Sequence, residues 1–444
     1  MSKANNISGV VLILLFSMLV FASVARAAEY DLILKNGHVL DIASSVNAVM
    51  DVAVKDGKIA RVAKNIDSGL SERTIDVSGN YVSPGFIDLH VHVFTGFEGA
   101  ATSVTADHTS FQGGVTTVVD AGTSGADNFE EFKKIIDSSR VRILAFLNIS
   151  RTGMDEGENE PPNFDVKLAA ATAKKYDDTI VGFKTAHYWR LWKGDHAEPR
   201  PYDDVHTPWA SVDSLVQAGE LADKPVMIDF DAFPPQGKWP ERSYRELILE
   251  KLRPGDIHTH CYARHFTVIG EDGTVVPDIL KARKRGVLFD VGHGGASMLF
   301  RNAIPAIEQG YLPDTISTDL HGGNINGPVM NMGFVMSKFL NMGMTLEEVI
   351  SRVTVRPAEI IKRPDLGTLS VGAPADIAIF KIIEDEMSFV DSNGSRLNGD
   401  HYLRNVMTLR AGRIVFDPYG LTYRVWDEIP KDDFYWKNPS GQTW

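Results

Sequence analysis

The sequence predicts an α/β protein, a (β/α)8 TIM-like barrel joined to a small β-domain that both ends of the chain build together. Eight short apolar runs alternate with helix-like stretches between residues 85 and 320, which is the order of a barrel. Short β-rich runs lie before and after this region. No glycine-rich phosphate-binding motif follows any of the eight runs, which argues against the runner-up, an open doubly wound sheet.

The composition is that of an ordinary globular protein. The chain has 444 residues, 43% hydrophobic and 23% charged, which suits one large domain with a smaller companion and excludes a disordered or collagen-like chain. Its one cysteine, Cys261, excludes an intramolecular disulfide. The net charge of −13, without a long basic run, argues against a nucleic-acid partner and a polyanionic substrate.

Residues 1–27 have the features of a secretory signal peptide. An apolar run extends from Gly9 to Ala25, and Ala25–Ala27 places small residues around one position, as signal peptidase prefers. We therefore expect cleavage before Ala28, a periplasmic or extracellular protein, and no membrane span in the mature chain. The alternative is an uncleaved N-terminal anchor, although the run of 17 residues is short for a hydrocarbon core of about 30 Å.

The small β-domain is expected to comprise residues 28–82 and 366–416. Alternating apolar runs fill both segments, and Lys55-Asp56-Gly57-Lys58 is a hairpin signal with Asp-Gly at the turn. Each segment alone would expose an apolar face, so we predict that the two form one unit. Residues 83–365 then form the barrel, and residues 417–444 form a C-terminal tail.

The predicted barrel strands come in chain order, with helical periodicity between them, for example at 129–138 and 277–286. Carboxyl ends of barrel strands converge on one rim, where catalytic groups sit. The eight predicted strands are 85–91, 115–121, 142–149, 180–184, 225–229, 256–260, 287–293 and 314–320.

Several side chains that can bind metals or transfer protons lie at the carboxyl ends of these predicted strands. His90 and His92 lie on one face of the first strand, about 7 Å apart, which allows both imidazoles to reach one ion. Lys184 ends an apolar run, where a lysine ammonium beside divalent cations would be either deprotonated or chemically modified. The remaining candidates at strand ends are Asp229, His260, His293 and Asp319.

These motifs together resemble the metal-dependent amidohydrolase superfamily, and within it the dihydroorotase-like branch that contains deacetylases. The similarity rests on SPGFIDLHVH around His90 and His92, Lys184, THC around His260, STDLH around Asp319, and LGTLSVGAPADIAIF at 366–380. It covers the mature chain to about residue 416.

The resemblance implies a role for each matching residue. His90 and His92 would bind a first metal, N-carboxylated Lys184 would bridge two metals, and His260 would bind the second. Asp319 would bind the first metal and transfer protons. The implied cofactor is one or two divalent ions, Zn²⁺ in the first place with Mn²⁺ as the alternative.

Asp229 departs from this pattern, because the family usually has histidine at the end of the fifth strand. Asp229 either serves as an oxygen ligand or marks a second metal that is weakened or lost. His258 lies two residues before His260 on the same face of the strand and could compensate, although packing is the commoner role for such a residue.

Two further histidines, His293 and His321, are expected to contact substrate, with glycines at 292, 294 and 295 allowing close backbone approach. Residues 187–209 form a long connection rich in aromatic residues and proline, which we expect to enclose the substrate.

The resulting hypothesis is an exported metallohydrolase that cleaves an amide, or an ester, of a small molecule by attack of a hydroxide held at the metal. Acyl-group removal and cyclic-amide opening both remain open, and so does homo-oligomerisation. Cytoplasmic pyrimidine synthesis does not suit an exported chain, which argues against dihydroorotase itself. Two alternatives remain: a metal-dependent lyase or decarboxylase on the same scaffold, and a binding protein that has lost catalysis through the change at Asp229.

Overall fold

The computed structural model describes residues 28–96, 102–155, 157–158, 160–186, 209–229 and 249–429. The predicted signal peptide, nearly all of the connection at 187–209 and the end of the predicted tail lie outside these residues. Within the described ranges, no helix combines the length and the apolar character needed to cross a membrane.

Fifteen strands are present in the described residues. In chain order they are β1 (Leu32–Asp41), β2 (Val46–Lys55), β3 (Lys58–Ala63), β4 (Thr74–Asp76), β5 (Tyr81–Pro84), β6 (Phe86–Val91), β7 (Val115–Ala121), β8 (Arg142–Asn148), β9 (Ile180–Ala186), β10 (Val226–Asp229), β11 (Ile257–His258), β12 (Leu288–Phe289), β13 (Ile377–Val390), β14 (Arg396–Arg410) and β15 (Arg413–Phe416).

The α-helices lie between the strands of the central region and after them. Within the same described ranges they are α1 (Ala106–Thr109), α2 (Phe129–Ser138), α3 (Val166–Lys175), α4 (Ala210–Ala222), α5 (Pro277–Lys284), α6 (Phe300–Glu308), α7 (Met332–Asn341), α8 (Leu346–Ser351) and α9 (Val355–Ile360). Two of them, α2 and α5, occupy the stretches whose periodicity predicted helices. Pro277 begins α5, in the first turn, where a backbone N–H would have no partner within the helix.

Strands from both ends of the chain share one mixed sheet, as the sequence predicts. Its order is β15-β14-β13-β5-β1-β2-β3, with β4 pairing on β1. The predicted hairpin joins β2 to β3, and Asp56 and Gly57 have the positive φ angles of 50° and 72° that an Asp-Gly turn requires. Antiparallel pairing of β5 with β13 unites the N-terminal and C-terminal strands. One apolar core then serves both segments.

The second sheet contains seven parallel strands in chain order, β6 to β12. They correspond to the first seven predicted barrel strands, and the residues of β6 and β7 are buried along their whole length. Near-continuous apolar runs are typical of parallel strands that are covered on both faces.

The prediction of a regular eighth strand at 314–320 is wrong. This segment makes isolated parallel bridges instead, from Leu320 to Val91 of β6 and from Thr315 to Asp290 beside β12. One physical reason is the left-handed φ of 48° at Asp319, which interrupts the extended run before Leu320. The segment nevertheless accepts backbone hydrogen bonds on both sides. The N–H of Val291 donates to the carbonyl oxygen of Thr315, and the N–H of His92 donates to the carbonyl oxygen of Leu320.

Candidate metal centre

His90 and His92 stand at the carboxyl end of β6, where the strand gives way to a loop. Both are buried. Nδ1 of His90 lies 2.9 Å from Oγ1 of Thr259, and that hydroxyl donates to Oδ2 of Asp290 at 2.7 Å. Because the hydroxyl has a single proton, it accepts from Nδ1 of His90. Nε2 of His90 is therefore the nitrogen that carries the lone pair.

His92 is held in the same way. Its Nδ1 lies 2.8 Å from Oγ1 of Thr123, whose backbone N–H donates to Oδ1 of Asp120. The two rings are nearly perpendicular, with centroids 5.6 Å apart. Both imidazoles thus turn Nδ1 toward the protein and Nε2 toward the rim.

Asp319 lies opposite these rings. Its Oδ1 is 3.1 Å from Nε2 of His92 and 3.5 Å from Nε2 of His90, and its Oδ2 is 3.4 Å from Nε2 of His260. The left-handed backbone of Asp319 points its carboxylate inward. Gly294, with a φ of 53°, packs against it so closely that a Cβ on this residue would lie 2.4 Å from Oδ2.

Three imidazole nitrogens and one carboxylate therefore converge, and this donor set fits a divalent cation. Ligands that stand 2.1 Å from a tetrahedral ion are separated by about 3.4 Å, which matches the spacings to Asp319. Ligand atoms of His90, His260 and Asp319 all lie within 4.8 Å of one another. Among the described residues, none hydrogen-bonds to the buried Nε2 of His90.

A second group of ligand-type side chains adjoins this centre and shares His260 with it. Oδ2 of Asp229 lies 2.7 Å from Nδ1 of His260, and Oδ1 of Asp229 lies 2.8 Å from Nε2 of His265. These three side chains also have ligand atoms within 4.8 Å of one another. His265 was not predicted from the sequence, because it lies in a loop without periodicity five residues after His260.

The electrostatics of the centre favour an ionised Asp319 and a neutral His90. Burial alone would raise the pKa of Asp319, but the electrostatic influence of the adjacent imidazoles of His90, His260 and His92 holds that pKa well below its usual value. Burial, assisted by the positive charge of Lys184, lowers the pKa of His90 to about 4. Burial would also lower the pKa of His260, yet Asp229 outweighs it and raises that pKa to about 9.

Lys184 lies in β9 and is buried, at 3% exposure. Its strand neighbours are Asn148 on β8 and Met227 on β10, and its Cβ and Cγ pack against Gly122. No carboxylate of a described residue lies within 4 Å of its Nζ, so the ammonium has no ion-pair partner in the described part of the chain. Its positive charge contributes to the lowered pKa of His90.

His293 is next to the centre but faces away from open space. The ring is fully buried, with Nδ1 3.0 Å from the carbonyl oxygen of Gly294 and Nε2 2.6 Å from Nζ of Lys338. Lys338 also donates to the carbonyl oxygens of Pro328 and Val390. The sequence did not single out Lys338, because a lysine in a helix is usually solvated.

The two other histidines differ in position. His321 is partly exposed, and its ring centroid lies 6.4 Å from that of His92, so it borders the centre on the open side. His258 is fully buried and stacks on Phe266 with centroids 3.7 Å apart. Its position suits packing, and the structure places Asp229 and His265, not His258, beside His260.

Comparisons with known proteins agree on one family. A model described as "Amidohydrolase family" matches residues 81–191, and a second model of the same description matches residues 282–416. The chain is 35% identical to a deacetylase of Brucella anthropi, over 79% of this chain and 85% of that protein. It is 33% identical to a deacetylase of Enterococcus faecalis, over 87% of this chain and 99% of that protein.

Solved structures give a similar result. A crystal structure of an adenine deaminase superposes with a TM-score of 0.77 at 30% identity, covering 87% of this chain and all of that one. A crystal structure of a dihydroorotase superposes with a TM-score of 0.71 at 30% identity, covering 87% of this chain and 97% of that one.

Proposed function

Because the chain belongs to the amidohydrolase family, we propose that it is a zinc-dependent deacetylase, which removes an acetyl or similar small acyl group from a nitrogen of a small molecule. It is a metal-dependent hydrolase of carbon–nitrogen bonds other than peptide bonds. The relatives favour hydrolysis over the lyase and binding-protein alternatives. The observation that carries the proposal is the convergence of three imidazole Nε2 atoms on the carboxylate of Asp319.

The scaffold in this proposal is a closed (β/α)8 barrel. The segment at 314–320 would close it, since this segment makes backbone hydrogen bonds with the neighbours of β12 and with the end of β6. Closure brings Asp319 from the last segment to the histidines of the first strand, which is the rim where barrel enzymes place catalytic groups.

The residues that would hold Zn²⁺ are His90, His92, His260 and Asp319. A zinc ion bound there would supply the chemistry of polarising a carbonyl group and lowering the pKa of a water molecule. We further propose that Nζ of Lys184 adds CO2 and releases a proton to become a carbamate, because this turns a buried cation without a described carboxylate partner into an anionic oxygen donor beside the centre.

Asp319 performs the proton transfers in this proposal. Its carboxylate is ionised at neutral pH, so it can accept a proton. Oδ1 faces His90 and His92, whereas Oδ2 faces His260 and Gly294, and in this proposal Oδ2 takes a proton from the attacking water and delivers it to the nitrogen of the departing amine. Gly294 keeps space for that oxygen, since a larger residue would occupy it. His321 borders the open side, where it can contact the substrate.

A substrate library tests the proposal. The protein loaded with Zn²⁺ is assayed against N-acetyl, O-acetyl and cyclic-amide compounds, and we expect N-acetyl compounds to be hydrolysed fastest. The double variant His90→Ala/His92→Ala should lose both bound metal and turnover. His401→Ala, which changes a partly exposed histidine on β14 of the mixed sheet, should lose neither. Wild-type metal content in the double variant would refute the metal site.

Two variants separate the roles of Asp319 and Lys184. Asp319→Asn keeps the shape and one oxygen donor but loses the base, so turnover should fall by about 10²-fold to 10⁴-fold. Lys184→Ala should lose activity, and short carboxylic acids should restore part of it by supplying the missing oxygen donor. Full activity of Lys184→Ala would exclude a carboxylated lysine.

We also propose that the protein is exported after removal of residues 1–27, on the strength of the apolar run and the small residues that follow it. N-terminal sequencing of the native protein should begin at Ala28. An intact Met1 or Ser2 would favour the membrane-anchored alternative.

A further inference from the structure

We propose that Asp229 is a positioning residue that sets the orientation and proton placement of His260, that His265 holds Asp229 in turn, and that neither is a metal ligand. This inference rests on the metal site proposed above and goes beyond it, because it concerns two residues outside the ligand set. It also departs from the expectation that Asp229 supplies an oxygen to a second metal.

The distances separate two kinds of contact. The spacings from Asp319 to the three imidazole nitrogens are 3.1, 3.5 and 3.4 Å, the separation of atoms that share a metal ion. The spacings from Asp229 to its two imidazoles are 2.7 and 2.8 Å. Those shorter values are direct nitrogen–oxygen contacts, closer than the ligand atoms of a tetrahedral ion stand to one another.

A neutral imidazole carries a proton on one of its two nitrogens, so His260 in this form can bind a metal ion through only one nitrogen. His90 and His92 show where the proton belongs. Each turns Nδ1 to a partner in the protein and Nε2 to Asp319. In His260, Nδ1 lies 2.7 Å from Oδ2 of Asp229 and Nε2 lies 3.4 Å from Oδ2 of Asp319, so we place the proton on Nδ1 and leave Nε2 for the metal.

His265 completes the chain of contacts. Asp229 has no exposed surface, and its Oδ1 accepts from Nε2 of His265, whose side chain is 19% exposed. The rings of His260 and His265 are nearly perpendicular and lie on opposite oxygens of the carboxylate. His265 therefore fixes the carboxylate plane, and the carboxylate fixes the ring of His260. Partners of this kind are known to tune metal-binding imidazoles.

Metal titration of the purified full chain tests this inference. The protein is stripped with a chelator, Zn²⁺ is added back, and the stoichiometry is measured by elemental analysis and the affinity by competition with a chromophoric chelator. The variants are Asp229→Ala, Asp229→Asn and His265→Gln. Asp256→Asn serves as the matched control, because it alters an equally buried aspartate next to the opposite end of β11, where the partner is Arg253.

We expect one Zn²⁺ per chain in the wild type and in all four variants at saturation. Affinity should fall by about 10-fold to 100-fold in Asp229→Ala and by less in His265→Gln. Asp229→Asn should recover most of the loss, because its amide oxygen still accepts from Nδ1–H of His260. Asp256→Asn should bind as the wild type does. His265 lies in a loop and is partly exposed, so His265→Gln keeps the test valid if Asp229→Ala does not fold.

Two results would overturn the inference while leaving the proposed function in place. One is two Zn²⁺ per chain in the wild type and one in Asp229→Ala, which would make Asp229 and His265 ligands of a second ion. The other is unchanged affinity in both Asp229→Ala and His265→Gln. A wild-type protein that binds no Zn²⁺ would instead refute the metal site itself and this inference with it.

Discussion

Gly294 is the position where a single added carbon should disturb proton transfer most directly. The residue has a φ of 53°, and a Cβ built on it lies 2.4 Å from Oδ2 of Asp319. Ordinary contacts of a Cβ begin at 3.4 Å, so in Gly294→Ala the oxygen must retreat by about 1 Å. Gly295 provides a matched control, because its Cβ would meet nothing closer than Asn324 at 3.8 Å and its backbone is not left-handed.

The two costs of Gly294→Ala can be separated. A left-handed alanine costs about 1–2 kcal/mol of folding free energy, which a domain with an ordinary stability of about 5–15 kcal/mol survives. A displacement of 1 Å in a reacting group costs about 10²-fold in rate. We therefore expect a folded Gly294→Ala enzyme whose kcat is about 10²-fold below that of the wild type.

The assay measures kcat and KM on the best N-acetyl substrate, together with thermal unfolding and zinc content. Gly295→Ala should match the wild type in all of them. A wild-type kcat in Gly294→Ala would refute the placement of Oδ2 in proton transfer. Equal losses in both glycine variants would show that the loop, and not the contact with Asp319, is responsible.

Three other perturbations follow from buried groups. Burial lowers the pKa of Lys338 from 10.5 to about 7, so between pH 7 and 10.5 the unfolded chain binds a proton that the folded chain does not. The free energy of unfolding should therefore rise with pH over this range, by up to about 5 kcal/mol. Urea unfolding at pH 7 and 10 measures this rise, which Lys338→Met should lack. Asp376→Ala leaves the guanidinium groups of Arg142 and Arg410 without their shared carboxylate and should cost about 3–5 kcal/mol in chemical unfolding, whereas an unchanged midpoint would contradict the pairing. Burial raises the pKa of the Cys261 thiol well above its usual value, so a thiol reagent should label it only in denaturant, and rapid labelling of the native protein would place it at the surface.

The parts of the fold that the sequence predicted are those that depend on continuous apolar patterning. The first seven parallel strands, the two-ended mixed sheet and the Asp-Gly hairpin follow from burial and turn chemistry. The eighth strand was predicted as regular and is not, because its run contains Asp319, whose backbone is left-handed. Periodicity carries no information about such a residue.

The residues of the candidate site show the same difference between those that the sequence predicted and those that it did not. His90, His92, His260 and Asp319 lie at predicted strand ends, and the structure brings them together. His265 could not be found in the same way, because its place beside Asp229 depends on the path of a loop. Lys338 could not be singled out because it lies in a helix, and its partners His293, Pro328 and Val390 come from three different segments of the chain.

The pairing of β5 with β13 has a consequence for the order of synthesis. Strand β5 ends at Pro84, whereas β13 begins at Ile377, so this edge of the early strands stays open while nearly 300 residues are made. An open edge of this kind can pair with another chain. Until the last strands arrive, the nascent protein is a candidate for chaperone protection, and truncation before Ile377 should lead to aggregation even though the residues of the metal centre would all be present.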